Sequence, residues 1–297
     1  MNFNVIPTEN VKNNMIDKIC GDFPFIKRVK IGESVCGRKI EALSVGNFEN
    51  SALWVGAHHG LEWMTTLVIL KFLNDICKKI SLNSFLGDVN ISKRLEKRGI
   101  TLVPCLNPDG VEISLGGFES AKKNKKIFEN MDRNISKIWQ ANANGVDLNH
   151  NYDAGWDELH ELEQKNNIIG PSHTRYGGKS PESEPEVRAL TEFCRKRNFD
   201  YAFAFHSQGE EIYWNYGKNT PKFSERFAEI FAEMTGYAVS FPEGLAVGGG
   251  FKDWFIEKFQ KPAFTIEIGK GKNPLPIYCF SEVYSKLEPA LYMSALI

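Results

Sequence analysis

The chain has 297 residues, of which 42% are hydrophobic and 25% charged, the balance of a globular protein large enough for one α/β unit. Its 36 basic and 37 acidic side chains leave a net charge of −1, which argues against nucleic acid or a membrane surface as partner. No apolar run is long enough to span a bilayer.

Residues 1–20 read as a short helical lead-in, with Ile16, Ile19 and Cys20 as apolar contacts. Two strand-like runs, 26–31 and 40–45, flank Gly32 and Gly37 and predict an antiparallel hairpin. Ser51-Ala52-Leu53-Trp54-Val55 reads as a short buried strand. After it, Ile69, Phe72, Leu73, Ile76 and Ile80 recur at helical spacing and predict a helix over 62–79. A charged helix is expected at 88–98, then a strand at 100–106 ending in Asn107-Pro108-Asp109-Gly110, a strong turn signal. Residues 111–145 read as surface loop with short helical pieces, and a second long polar loop is expected from Tyr152 to Pro181.

Ser183-Glu184-Pro185-Glu186 fits a capping box, with Ser183 as cap and Glu186 reaching back, opening a helix to about Arg197. Residues 200–206 predict a strand with Phe203 and Phe205 on one face and Ala202, Ala204 and His206 on the other. Helices are expected at 221–236 and about 250–258. A strand at 263–268 turns Thr265 and Glu267 away from Phe264, Ile266 and Ile268, and a last helix covers 276–295. Strands separated by helices imply one α/β domain over 1–297, a mostly parallel or mixed sheet with helices on both faces. The six cysteines are scattered without a Cys-x-x-Cys pair, and the N-terminus has neither a basic nor an apolar signal region. A cytoplasmic protein is expected, with an exported protein shorn of its leader as the alternative.

Chemistry concentrates in Gly56-Ala57-His58-His59-Gly60-Leu61-Glu62-Trp63, where a strand turns into a helix. In open α/β sheets ligands bind there, outside the carboxyl end of a strand. His59 and Glu62 lie three apart and can share one ion; zinc accepts both donor types and needs a third protein ligand for a catalytic site. His58, four residues before Glu62, offers a competing pairing; His59 is preferred, with His58 behind the ligands or in packing. His206 ends its strand at the same rim. Glu267, between Ile266 and Ile268 in an apolar strand, must be paired or working, because an unpaired buried carboxylate is costly. Beside an activated water it would serve as general base.

Six segments occur in an order that resembles the zinc carboxypeptidase family. They are Gly56 to Trp63, Asn107-Pro-Asp-Gly, Gly145-Val-Asp-Leu-Asn149-His-Asn-Tyr, Ser183-Glu-Pro-Glu, Phe205-His206-Ser and Phe264-Thr-Ile-Glu267. The resemblance runs from about Ile40 to the end. It implies a mixed eight-stranded sheet, one zinc per chain on His59, Glu62 and His206, and Glu267 as general base and proton shuttle.

Departures from the digestive members bear on substrate. Where they carry a carboxylate-clamping arginine, this chain has His150, and an imidazole cannot reproduce bidentate guanidinium binding. Leu245 lies near the place of an expected tyrosine. Gln140 stands where an arginine would polarise the scissile carbonyl; Gln140 or Arg133 is the candidate oxyanion donor. The segments His206 to Trp214 and Trp139-Gln-Ala-Asn look most like the bacterial γ-D-glutamyl-diamino acid peptidase branch. That branch implies a muropeptide substrate cut between γ-D-glutamate and meso-diaminopimelate or lysine. Asn149 is then expected to bind substrate, with Glu210 or Glu211 receiving an ammonium and Arg175, Lys179 or Lys270 receiving carboxylates. Tyr213 and Trp214 are expected to pack under the site. An ordinary carboxypeptidase, an amidase or deacylase, and a non-catalytic muropeptide-binding module are the competing readings.

Overall fold

Trp54 sits at the centre of the protein, its ring 4.8 Å from that of Phe72 and 5.5 and 5.7 Å from those of Phe203 and Phe205. That packing follows from a strand buried along its whole length, because helices cover both faces of the sheet that holds it. The computed structural model describes residues 1–297. In chain order the elements are α1 (Glu9–Asp22), β1 (Lys27–Glu33), β2 (Lys39–Val45), β3 (Ser51–Val55), α2 (Met64–Ser81), β4 (Phe85–Leu86), β5 (Val89–Asn90) and α3 (Ile91–Lys97). They continue with β6 (Gly99–Val103), α4 (Pro108–Gly116), α5 (Trp156–Lys165), α6 (Pro185–Arg195), β7 (Phe199–His206), β8 (Glu211–Tyr213) and α7 (Ser224–Thr235). The chain ends with β9 (Ala238–Ser240), α8 (Phe251–Phe259), β10 (Ala263–Glu267) and α9 (Phe280–Leu296).

One eight-stranded sheet runs β1-β2-β6-β3-β7-β10-β8-β9. Its centre, β6-β3-β7-β10, is parallel, and the hairpin β1-β2 joins it antiparallel, as the sequence predicts. The strand alternation also holds. Phe203, Phe205, Phe264, Ile266 and Ile268 enter the larger core under α2, α7 and α9, and Ala202 and Ala204 enter the smaller one with Phe255 and Leu190. Small alanines on that face let α6 and α8 lie close. The strands β8 and β9 are three residues each, too short for a periodic signal, and were not expected.

Four other expectations change. Asn107-Pro108-Asp109-Gly110 is a helix start rather than a turn: the Asn107 side chain accepts the Gly110 N–H at 2.8 Å and Pro108 opens α4. Residues 111–145 hold the expected short helical pieces, at Phe118–Phe128 and Arg133–Ile138, but the stretch is more than surface loop, since Ile113, Ala121, Phe128 and Trp139 bury a third cluster. The polar stretch before Pro181 contains α5, which buries only Trp156, Leu159 and Glu163 and so hides its period among charges. The capping box does not form. Glu184 is the N-cap without a side-chain cap, and Glu186 turns its carboxylate inward to the Val35 N–H and the Asn142 amide, both at 3.1 Å.

Candidate metal centre and cleft

The loop after β3 is shaped by contacts that only small residues permit. A Cβ on Gly60 would lie 2.2 Å from the Gly110 carbonyl oxygen, so the loop rests directly on the start of α4. The Asn107 amide reaches the carbonyls of His58, Gln140 and Ala141 at 3.0 to 3.2 Å and ties three segments together. Ala57 adopts φ +49°, a strained conformation for a residue with a Cβ, just before the histidine pair.

In that frame His59 and Glu62 meet His206 from the end of β7. His59 Nδ1 lies 2.9 Å from Glu62 Oε1, His206 Nδ1 lies 3.0 Å from Glu62 Oε2, and the two Nδ1 atoms are 3.2 Å apart. All three donor groups fall within 4.8 Å of one another. Tetrahedral zinc with bonds of about 2.0–2.1 Å sets its donors about 3.3 Å apart, so these residues fit that ion. His59 Nε2 is held by Asp147 Oδ1 at 3.1 Å, the carboxylate support that orients a ligating imidazole. Burial opposes ionisation of Glu62, but His59 and His206 outweigh it and pull the carboxyl down to about 2. His58 stays behind the cluster: its ring stacks on His206 at 5.2 Å, its Nε2 meets the Tyr152 hydroxyl at 3.1 Å, and burial holds it neutral.

Glu267 stands beside His206 in the parallel register of β10 and β7 and opens on a cleft of about 480 Å³. Burial first, and then the charge of Glu62, push its carboxyl well above the ordinary value. With a divalent cation held by the three ligands, that rise would be opposed and Glu267 would stand as a carboxylate able to take a proton.

The same cleft is lined by Gln140, Asn149, His150, Arg175 and Leu245. Gln140 Oε1 is taken by the Thr174 hydroxyl, which leaves its amide N–H groups as donors on the wall. Asn149 is fixed through Oδ1 by the Phe251 N–H at 3.0 Å. The Arg175 side chain is exposed and forms no ion pair. Five of the expected contacts lie elsewhere. Arg133 lines a separate cleft with Phe118, Phe128 and Met131. Glu210 is spent on Lys286 at 2.6 Å and Lys270 at 3.1 Å, which removes Glu210 and Lys270 together from the cleft. Lys179 and Glu211 lie outside it as well. Tyr213 forms part of the wall rather than packing beneath, and its hydroxyl donates to Glu211. Trp214 packs on the larger core.

Two site residues were missed. Asp147 belongs to the Gly-Val-Asp segment, where its hydrophilic place between apolar neighbours was the available signal. Lys252, only 5% exposed, lines the cleft with its ammonium on Asp253 and on the Asn215 carbonyl at 2.7 Å. Its signal was a lysine–aspartate pair set among Phe251, Trp254 and Phe255 at a helix start.

Two imidazoles and a carboxylate converging beside a free carboxylate, at the carboxyl ends of parallel strands, make this a metal-dependent hydrolase in class. A model of the zinc carboxypeptidase family matches residues 13–291, and the chain belongs to that family; it is a zinc metallopeptidase. Among curated relatives it is 36% identical over 275 residues to γ-D-glutamyl-L-diamino acid endopeptidase 1 of Lysinibacillus sphaericus, covering 92% of this chain and 68% of that protein. Mast cell carboxypeptidase A of Homo sapiens is 25% identical, with 86% of this chain and 61% of that one covered. Among solved structures, bovine thrombin-activatable fibrinolysis inhibitor, in complex with tick carboxypeptidase inhibitor, superposes with a TM-score of 0.77 at 21% identity. That match covers 99% of this chain and 97% of the other and shows the fold. No helix is long and apolar enough to cross a membrane.

Proposed function

We propose that the protein hydrolyses the bond between γ-D-glutamate and meso-diaminopimelate, or lysine, in peptidoglycan stem peptides. The observation that carries the substrate is the 36% identity to the Lysinibacillus sphaericus endopeptidase across 92% of this chain. The cleft chemistry agrees with it. A diamino diacid brings carboxylates, and His150 and Arg175 offer positive or hydrogen-bonding groups to receive them.

His59, Glu62 and His206 hold the zinc in this reading, and Asp147 orients His59. Zinc bound there supplies Lewis acidity and an activated water. Glu267 takes the proton that water loses on attacking the carbonyl and returns it to the departing amine. The Gln140 amide donates to the oxygen on which charge develops, and Asn149 holds the leaving residue. The six cysteines are unpaired, which supports a reducing, cytoplasmic setting and a peptide already released from the wall.

Incubation of the zinc-loaded protein with L-Ala-γ-D-Glu-meso-diaminopimelate, followed by mass spectrometry, tests the reading. Free diaminopimelate and L-Ala-D-Glu are expected. Release of only the terminal D-Ala from the corresponding tetrapeptide would instead establish an ordinary carboxypeptidase.

A further inference from the structure

His150 lines the cleft, and its ring is held from behind. Nδ1 lies 2.8 Å from Oε1 of Glu163; a carboxylate only accepts, so that nitrogen carries a proton and donates. Glu163 comes from α5 and is wholly buried. Its other oxygen accepts the Gly177 N–H and His160 Nδ1, each at 3.1 Å, while the His160 ring stacks on Trp156 with centroids 4.5 Å apart. No lysine or arginine neutralises Glu163; its side-chain partners are the two imidazoles. The second ring nitrogen, His150 Nε2, makes no hydrogen bond within the protein.

We propose that Glu163 and His150 work as one anion-receiving unit, in which Glu163 holds the ring so that Nε2 meets a carboxylate of the leaving residue. This rests on the peptidase reading above. With a carboxylate on each side, the imidazolium is the form that gives one N–H to each. The surrounding charges leave the role open to substrate. Asp147 is occupied by His59 and by the N–H groups of Asn149 and Arg175, Lys252 is paired with Asp253, and the Arg175 guanidinium is a second positive point on the cleft. The unit carries the charge that a guanidinium would carry alone, but offers one donor rather than a fork. Glu163 is thus a positioning residue, acting through His150.

Two measurements test this. The first compares kcat and KM for the acid tripeptide above and for the same peptide amidated at the α-carboxyl of diaminopimelate. Wild type prefers the acid, and Glu163→Gln reduces that preference about tenfold, mainly through KM, because one charge-assisted hydrogen bond is weakened. The double variant His150→Arg, Glu163→Gln regains the preference, since arginine brings its own charge. Equal losses on both peptides, or a loss confined to kcat, would show a merely structural Glu163 and overturn the proposal.

The second is independent of cleavage: ¹⁵N-histidine spectra of the zinc-loaded protein titrated with N-acetylglycine. Both ring nitrogens of His150 become protonated on binding in wild type but not in Glu163→Gln; an unmoved His150 signal at saturation refutes the unit. Should wild type cleave neither peptide, the substrate reading fails, while the spectra still decide the unit.

Discussion

Glu267 lies between two isoleucines on a buried strand, and no side chain neutralises it. Its place beside the ligands, rather than among them, separates binding from chemistry. Glu267→Gln should keep about one zinc per chain while kcat falls at least about a hundredfold, the scale of a lost general base. Metal analysis alongside a cleavage assay reads both; retained turnover would remove Glu267 from the mechanism. A second carboxyl, Glu186, sits fully buried far from any zinc ligand in sequence. Burial, then the charges of Asp109 and Glu184, raise it from an ordinary 4.5 to about 8. Between those values the folded protein holds a proton that the unfolded chain releases, so this group's stabilisation is complete below about 4.5 and declines as pH rises through 8. Urea midpoints from pH 5 to 8.5 should fall with pH in wild type and fall less in Glu186→Gln. An unchanged slope would mean other groups set it.

Elements carry the site through their close approaches. The start of α4 is pressed against the loop that bears His58, His59 and Glu62, and a Cβ on Gly110 would lie 2.5 Å from the Ala141 carbonyl oxygen. Gly110→Ala should therefore destabilise by about 1–3 kcal/mol, the usual penalty for overpacking. It should also impair activity by shifting that loop, readable as denaturation midpoint and turnover on one sample. Full activity would show the contact to be soft. The helix α5 illustrates why part of this frame was illegible. Its single buried acid, Glu163, reads in sequence as one more surface charge in Trp156-Asp-Glu-Leu-His-Glu-Leu-Glu, and only packing of the helix against the cleft brings it to His150.

For the molecule as a whole, the ligands project from a loop and a strand end that the sheet already holds in register. Removing zinc should thus lower the melting temperature without unfolding the protein at 25 °C. Ligand linkage accounts for the shift, about 2.7 kcal/mol at a hundredfold excess of metal over its dissociation constant. Circular dichroism with and without chelator measures it, and collapse of the helical signal on chelation would mean that the metal, not the sheet, organises the site.

Residue types and local period were enough to place the central strands, the faces of β7 and β10 and the His59–Glu62 pair, because burial imposes period two on strands and zinc admits few donor types; His206 as third ligand and Glu267 as base came with the family resemblance. Glu210 and Lys270 were misplaced for a common reason. A charged side chain near a motif looks available in sequence, and whether it is already paired depends on residues distant along the chain, such as Lys286 for Glu210. The same holds for Lys252 and Glu163, whose burial arises only when α8 and α5 close over the cleft. Local chemistry named the atoms that can bind an ion; long-range packing chose which charges remain free to meet a substrate.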